Sequence, residues 1–193
     1  MEDDIPTYAY GGAASTDRTK ARLLDAMRSA GIGQRFLNLS LRECGEEGNK
    51  LADLWASKEL SGLLAKGFGF TFHGPASVAL STATARACVL LDTKTQVVWL
   101  GRLVQALRDD STLAPFEEAD VLLILGFVDD SGEDTPLTRG ERLSIETLIR
   151  ERIDECQPTL IQAELLPTTK APLWWSSSLI RQLGTVNQVV EAK

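Results

Sequence analysis

The fold of this 193-residue chain is decided by the stretch Phe70-Thr71-Phe72-His73-Gly74-Pro75-Ala76-Ser77-Val78-Ala79-Leu80-Ser81. Its start predicts a strand over residues 68–73, Gly74 and Pro75 predict a turn, and the alanine-rich sequence over 81–90 predicts a helix. Further strands are predicted at 96–100, 121–125, 159–163 and 185–190, with helices at 101–109, 139–156 and 174–183. Strands that alternate with helices indicate an α/β fold, in which helices cover both faces of a parallel sheet.

Gly74 and Ser81 have the spacing of the first glycine and the last hydroxyl residue in the phosphate-binding motif G-x-x-x-x-G-K-[ST]. Ser77 lies inside this loop, Ala79 replaces the second glycine, and Leu80 replaces the lysine. Lysine contacts the β- and γ-phosphates, and glycine lets backbone N–H groups approach them. The stretch therefore predicts a degenerate nucleotide-binding loop, and a plain turn that never bound phosphate is the alternative. Because a helix N-terminus attracts anions, weak ATP or ADP binding stays open.

Composition and charge indicate the class of protein. The net charge of −7 and the pI of about 4.8 argue against a broad nucleic-acid surface. No apolar run approaches the roughly 20 residues that cross a bilayer, and the acidic N-terminus lacks a secretory leader. Cys44, Cys88 and Cys156 follow no metal-binding pattern. These features predict a cytoplasmic protein with no membrane segment, no metal and weak or absent direct nucleic-acid binding.

Two segments are candidates for binding a partner protein. Residues 1–16 suggest an arm, and residues 17–30 predict a helix with Leu23, Leu24 and Met27 on one narrow apolar stripe. This helix is expected to lie outside the core, although the chain's own core is the alternative dock. Trp174 and Trp175 form the second candidate, with core packing as the alternative. Another helix is predicted over 46–64.

The order of these elements resembles the helicase-loader ATPases of the DnaC/DnaI type and the transposition helper IstB. The resemblance covers residues 31–190 and rests on order and spacing, since no single motif is specific. Five parts of the family pattern have counterparts in this sequence. They are the lead-in segment (31–41), the P-loop strand (69–75), the second strand with its helix (97–108), the approach to Walker B (118–124), and the sensor-1 helix and strand (151–161). It implies a RecA-like/AAA+ P-loop core over 31–193, with a short N-terminal helical extension over 1–30.

The sequence departs from the family pattern at the expected catalytic positions. Sensor 1 of the family ends in Ser-Asn, and here Glu164 would place a carboxylate beside the γ-phosphate. The Walker B acidic pair corresponds either to residues 125–126, where it is lost, or to Asp129 and Asp130. The box VII arginine of the family corresponds to Arg181. No residue is predicted to be catalytic.

The resemblance therefore implies an inactive or impaired helicase-loader-like protein that binds a replicative helicase or an active AAA+ partner. Two alternatives stay open. One is an IstB-like subunit of a DNA transposition or defence complex, which a mobile-element origin would suit. The other is an unusual ATPase completed by a partner in trans, with Ser81 and Asp129 or Asp130 holding magnesium.

Overall fold

The computed structural model of the protein describes residues 13–109, 113–127, 137–163 and 175–193. The helices in these ranges are α1 (Ala13–Ser29), α2 (Gly45–Ala56), α3 (Glu59–Leu64), α4 (Ser77–Leu90), α5 (Leu100–Arg108), α6 (Ala114–Glu117), α7 (Arg139–Asp154) and α8 (Ser177–Val186). The strands are β1 (Gly69–His73), β2 (Thr95–Trp99), β3 (Val121–Leu125), β4 (Thr159–Gln162) and β5 (Asn187–Glu191). Within the same ranges, no helix has both the length and the apolar character needed to span a membrane.

The strands form one five-stranded sheet in the order β2-β3-β4-β1-β5, and every pairing is parallel. The α/β prediction is therefore confirmed, and each predicted strand coincides with an observed one to within two residues at either end. The last strand starts late because Thr185 and Val186 still belong to α8.

The sheet lies between two apolar layers, and β3 shows why. Alternate residues of a strand point to opposite faces. Val121, Leu123 and Leu125 pack in the cluster on the side of α2, α3 and α4, whereas Leu122 and Ile124 pack in the cluster on the side of α5, α7 and α8. A continuous apolar strand with both faces buried is typical of a parallel sheet covered by helices. This arrangement gives the predicted three layers.

Two predicted helices differ in their bounds. The helix predicted over 46–64 is divided into α2 and α3, because Lys58 adopts a left-handed backbone conformation with φ of 64°. Helix α4 begins at Ser77, four positions before the predicted start at Ser81. The Ser77 N–H donates to the Gly74 carbonyl at 3.1 Å and the Leu80 N–H to the Ala76 carbonyl at 3.1 Å, so helical bonding starts directly after a short turn.

Helix α1 packs on the core, which corrects the prediction that its apolar stripe lies outside it. Met27 is 1% exposed and belongs to an apolar cluster with Ile32 and Val89, against which Leu23 and Leu24 are partly buried. At the end of α1 the chain also contacts the edge strand β2. There the Val97 N–H donates to the Ala30 carbonyl at 2.7 Å.

Gly31, which follows Ala30, is required by this contact. Its φ is +84°, and an added Cβ would lie 2.4 Å from the Val97 carbonyl oxygen. The described part of residues 1–30 is therefore joined to the sheet by apolar packing and by the backbone, and it is not an independent helix on a free linker.

The amino edge of the sheet, where β3 and β4 begin, is held by one buried arginine. The Arg152 side chain on α7 is 1% exposed and donates hydrogen bonds to six oxygen atoms. These are the carbonyls of Phe116, Glu117, Ala119 and Pro158, the hydroxyl of Thr159 and the side-chain carbonyl of Gln157. Burial lowers the pKa of Arg152 to about 10, so the guanidinium stays charged at neutral pH.

Candidate functional site

The candidate site lies at the opposite, carboxyl edge of the sheet, between β1 and β4. Helix α4 follows β1 and packs in the cluster on one face, whereas α8, the next described helix after β4, packs on the other face. Adjacent parallel strands whose connections leave to opposite faces form a crevice at their carboxyl ends, and ligands of open α/β sheets bind there. The degenerate loop predicted from the sequence starts at this crevice.

The crevice is occupied by the side chain of Gln162, the last residue of β4. Its Nε2 donates to the Ser77 hydroxyl at 2.8 Å, and its Oε1 accepts from the Gly126 N–H at 2.9 Å. The Ser77 hydroxyl donates in turn to the Ala163 carbonyl at 3.4 Å. We call Gln162, Ser77 and Gly126 the Gln162 bridge. It connects the end of β4 to the start of α4 and to the residue that follows β3.

The turn of Gly74, Pro75 and Ala76, called the Gly74 turn, is closed by the end of the chain. The Ala192 N–H donates to the His73 carbonyl at 2.7 Å, and the Ala192 carbonyl accepts from the Ala76 N–H at 3.3 Å. Gly74 has φ of +98°, and a Cβ on it would lie 2.4 Å from the Ala192 oxygen. The Ala76 N–H, which could otherwise bind an anion, therefore already donates to the Ala192 carbonyl.

The structure places the predicted lysine and hydroxyl positions inside α4. Leu80 is fully buried in the apolar cluster beside β1. Ser81 is fully buried as well, and its hydroxyl donates to the Val78 carbonyl at 3.2 Å. Ala79 is half-buried on the same helix. Only Gly74 and Ser77 of the predicted loop residues lie at the carboxyl edge, so within the described chain the loop is a three-residue turn.

The Walker B and sensor positions carry no acidic group in the described residues. β3 ends at Leu125, and Gly126, Phe127 and Val128 separate it from Asp129. The end of the strand therefore matches the alternative in which the acidic pair is replaced by Leu125 and Gly126. Asp129, Asp130 and Glu164 lie outside the described residues. Arg181 is exposed on α8, and His73 is half-buried at the end of β1.

Trp175 is a core residue, which corrects its assignment to an exposed binding surface. It is 2% exposed, its ring stacks on Phe127 with 4.4 Å between centroids, and its Nε1 donates to the Phe127 carbonyl at 2.9 Å. The tryptophan therefore anchors the segment before α8 to the end of β3. Its neighbour Trp174 lies outside the described residues.

Two residues of the site were not found from the sequence. In the sequence, Gln162 is a single polar residue at the end of an apolar strand. Ala192 contributes only backbone groups to the site, so its side chain gives no signal. A glutamine at the carboxyl end of a buried parallel strand is the one available signal, because its amide requires partners when it is buried. Nothing in the sequence indicates which groups those partners are.

Two surface depressions of about 230 Å³ and 350 Å³ are present in the described part of the chain. The first lies between α3, β1 and the end of α8, and the second lies between α7 and the start of α8. Neither is lined by Gly74, Ser77 or Gln162. The carboxyl edge between β1 and β4 is occupied by the Gln162 bridge and the neutral groups bonded to it.

Comparison with solved structures relates this fold to DNA-replication proteins. The crystal structure of the DnaC helicase loader matches with a TM-score of 0.64 and 16% identity, over 83% of this chain and 100% of that one. DnaI matches with a TM-score of 0.66 and 16% identity, over 84% of this chain and 92% of that one. AMPPCP-bound DnaA from Aquifex aeolicus matches with a TM-score of 0.64 and 13% identity, over 84% of this chain and 51% of that one.

At these identities the similarity shows the fold, and this chain spans about half of the DnaA chain. No family model matches the sequence, and no curated protein sequence is significantly similar to it. The chain has the AAA+ fold that these structures share. The resemblance predicted from the order of motifs is confirmed at the level of the fold.

Proposed function

We propose that the protein is a cytoplasmic AAA+ domain of the helicase-loader type that acts by binding and does not turn over ATP. Its partner in DNA replication would be a replicative helicase or an active AAA+ subunit. The observation that carries the non-catalytic part is the burial of Leu80, the residue at the motif position of the phosphate-binding lysine. The fold shared with DnaC and DnaI supports the replication context.

The closed carboxyl edge also supports a protein without turnover. A nucleotide would have to displace the Gln162 side chain and the Ala192 carbonyl, which together hold the start of α4. Ser81 is a weak candidate for a magnesium ligand, since its hydroxyl is buried and bonded to the Val78 carbonyl. These contacts argue against the alternative of an unusual ATPase completed in trans.

Magnesium-dependent ATP hydrolysis by the purified chain tests this part of the proposal. We expect phosphate release at the background rate, with and without a partner helicase. Ser81→Ala is the matched variant, because alanine is tolerated in helices and removes the one hydroxyl that the motif provides. Turnover by the unmodified chain that Ser81→Ala abolishes would show a working ATPase and would refute the proposal.

We propose that the partner docks on the N-terminal segment, residues 1–30, through the outward face of α1. Met27 is unavailable for this role, but Lys20, Arg22, Asp25 and Arg28 are exposed on the same helix. Leu23 and Leu24 are partly buried and border this face. The basic residues suit an acidic surface on the partner.

Binding of a purified replicative helicase, measured by light scattering after size exclusion, tests the docking surface. We expect Lys20→Glu with Arg22→Glu to weaken binding by about tenfold or more without lowering the melting temperature. Lys66→Glu with Arg139→Glu makes the same charge change at exposed positions elsewhere and serves as the control. Equal binding by both double variants would exclude α1 as the anchor. Co-purification with a transposase in place of a helicase would favour the IstB-like alternative.

A further inference from the structure

The Gln162 bridge has a role that the binding function does not require. In a nucleotide-binding α/β domain, the ligand occupies the crevice at the carboxyl ends of the strands and contacts the start of the helix that follows the first strand. The ligand therefore connects elements that are otherwise held apart. Here Gln162 makes those connections from within the chain, through Ser77 at the start of α4 and Gly126 after β3.

We propose that Gln162 is an internal substitute for a nucleotide, which keeps the carboxyl edge in its closed arrangement without any ligand. One consequence is that the conformation that binds the partner is present at all times. This consequence rests on the proposed function. The closed arrangement itself does not depend on that function. It depends on one neutral side chain that satisfies a donor and an acceptor at the same time.

Burial and bonding in the bridge support this role. Gln162 is 4% exposed, Ser77 is 1% exposed, and both polar atoms of the glutamine amide have partners in the protein. The Gln162 main chain takes part too, since its carbonyl accepts from the Phe127 N–H at 2.9 Å. A buried amide with a partner on each of its two polar atoms holds neighbouring elements in one arrangement. Removing it leaves the Gly126 N–H and the Ser77 hydroxyl without that partner.

The Ala192 contact closes the same edge from the other side of β1. The carbonyl of Ala192 takes the Ala76 N–H, and the amide of Ala192 reaches the His73 carbonyl. The bridge and this contact thus flank the start of α4, and each closes the crevice with groups of the chain itself. Two independent closures at one crevice indicate that the closed form is built into the fold.

Thermal unfolding with and without Mg-ATP tests the proposal. We expect no change in the melting temperature of the unmodified chain on adding Mg-ATP. Gln162→Ala should lower it by about 5 to 10 °C, because two buried polar groups lose their partner. Gln188→Ala is the matched control, since Gln188 is an exposed glutamine on β5, and it should leave the melting temperature nearly unchanged.

Amide hydrogen exchange separates a bridge from ordinary packing. In Gln162→Ala, exchange at Gly126 and in the first turn of α4 should accelerate by about tenfold or more, while exchange at the amino edge should stay slow. Ser77→Ala should have a smaller effect in the Gln162→Ala background than in the unmodified chain, because both changes remove the hydrogen bond between Gln162 and Ser77. Where Gln162→Ala does not fold, Ser77→Ala alone provides the exchange measurement.

A rise in the melting temperature of the unmodified chain with Mg-ATP would overturn the proposal, since the crevice would then accept a nucleotide. Equal melting temperatures for Gln162→Ala and Gln188→Ala, or uniform acceleration of exchange, would overturn it as well. None of these measurements contains a partner protein. A failure of the helicase-binding experiment would therefore leave this inference standing, and a failure here would leave the docking surface untouched.

Discussion

At each edge of the sheet a buried polar side chain joins neighbouring segments, and the two side chains, Arg152 and Gln162, differ in charge. At the amino edge, Arg152 donates to six oxygen atoms from the segments around β3 and β4. At the carboxyl edge, Gln162 donates once and accepts once. A cation suits the amino edge because the groups gathered there are acceptors. A neutral amide suits the carboxyl edge because it meets one donor and one acceptor.

This contrast bears on the proposal that the chain does not turn over ATP. The amino edge carries a structural charge that no ligand is expected to replace. The carboxyl edge is the place where such folds bind ligands, and here the crevice between β1 and β4 is occupied by the neutral Gln162 bridge. Four substitutions test this contrast, in order of decreasing effect.

Leu80→Lys should have the largest effect and places a charge beside the carboxyl edge. Leu80 is fully buried among apolar side chains, so a lysine there either loses its charge or opens the core. We expect about 5 kcal/mol of destabilisation at neutral pH, measured by urea unfolding. Restoring the lysine of the motif, alone or with Ala79→Gly, should therefore damage the fold and not recover nucleotide binding.

The volume-conserving change Leu80→Met is the control for this prediction, and it should cost less than about 1.5 kcal/mol. The loss in Leu80→Lys should also shrink as the pH rises, because the neutral amine is the form that tolerates burial. A stable Leu80→Lys protein that binds Mg-ATP would mean that α4 starts later in solution and that the loop is open.

Arg152→Met tests the amino edge. The substitution keeps an apolar stem but leaves several carbonyl oxygens without a donor, and we expect about 4 kcal/mol of destabilisation. Arg142→Met on the same helix is the control, since Arg142 is half-exposed, and it should change the stability by less than about 0.5 kcal/mol. If Arg152→Met is as stable as Arg142→Met, the amino edge is not held by this side chain.

Met27→Ala measures the loss of unfolding free energy when ordinary apolar packing is removed, and the losses at both edges can be compared with it. Met27 is 1% exposed between α1 and the core, and truncation to alanine should cost about 3 kcal/mol. Arg28→Ala, at an exposed position on the same helix, should have little effect. If Met27→Ala and Arg28→Ala are equally stable, α1 does not depend on packing against the core and can act as an independent partner-binding helix. Deletion of residues 1–30 would then leave a stable core.

Glu141→Gln should have the smallest effect and tests a half-buried charge at the start of α7. Hydrogen bonds from Arg108 and from the Thr138 backbone N–H lower the pKa of Glu141 to about 2. A lowered carboxylate pKa stabilises the fold above the unfolded pKa of about 4.3, and this contribution disappears as the pH falls toward 2.

We therefore expect Glu141→Gln to lower the melting temperature by about 2 °C at pH 7 and to have a much smaller effect near pH 2. Glu151→Gln, on the exposed side of the same helix, should show no such pH dependence. A difference between Glu141→Gln and the unmodified chain that is as large at pH 2 as at pH 7 would contradict the charge-based explanation.

Much of the fold was predictable from local sequence. The apolar run of β3 and the alternation of strands and helices predicted a parallel sheet, and the capping box of Thr138 and Glu141 coincides with the start of α7. The helix over 46–64 was predicted as one element because its apolar spacing continues past Lys58. Spacing of this kind does not reveal a left-handed residue with φ of 64°.

The candidate site was less predictable, because a motif gives the order of residues and not the position at which a helix starts. The spacing from Gly74 to Ser81 suggested a seven-residue phosphate loop, whereas the helix starts at Ser77. Leu80 therefore lies in the core, and its identity reflects burial in the present fold. Met27 and Trp175 were assigned to partner surfaces because a sequence does not distinguish an apolar stripe that faces a partner from one that faces the chain's own sheet.

The sequence by itself determined the layered α/β architecture, the position of each strand and the order of motifs that resembles helicase loaders. These properties follow from hydrophobic periodicity and turn residues, which act over a few neighbouring positions. Only the tertiary structure decided that Gln162 meets Ser77 and Gly126, that Ala192 closes the Gly74 turn and that α1 packs on the edge strand. These contacts join residues far apart in the chain, and the partner of a buried polar group depends on which strands become neighbours.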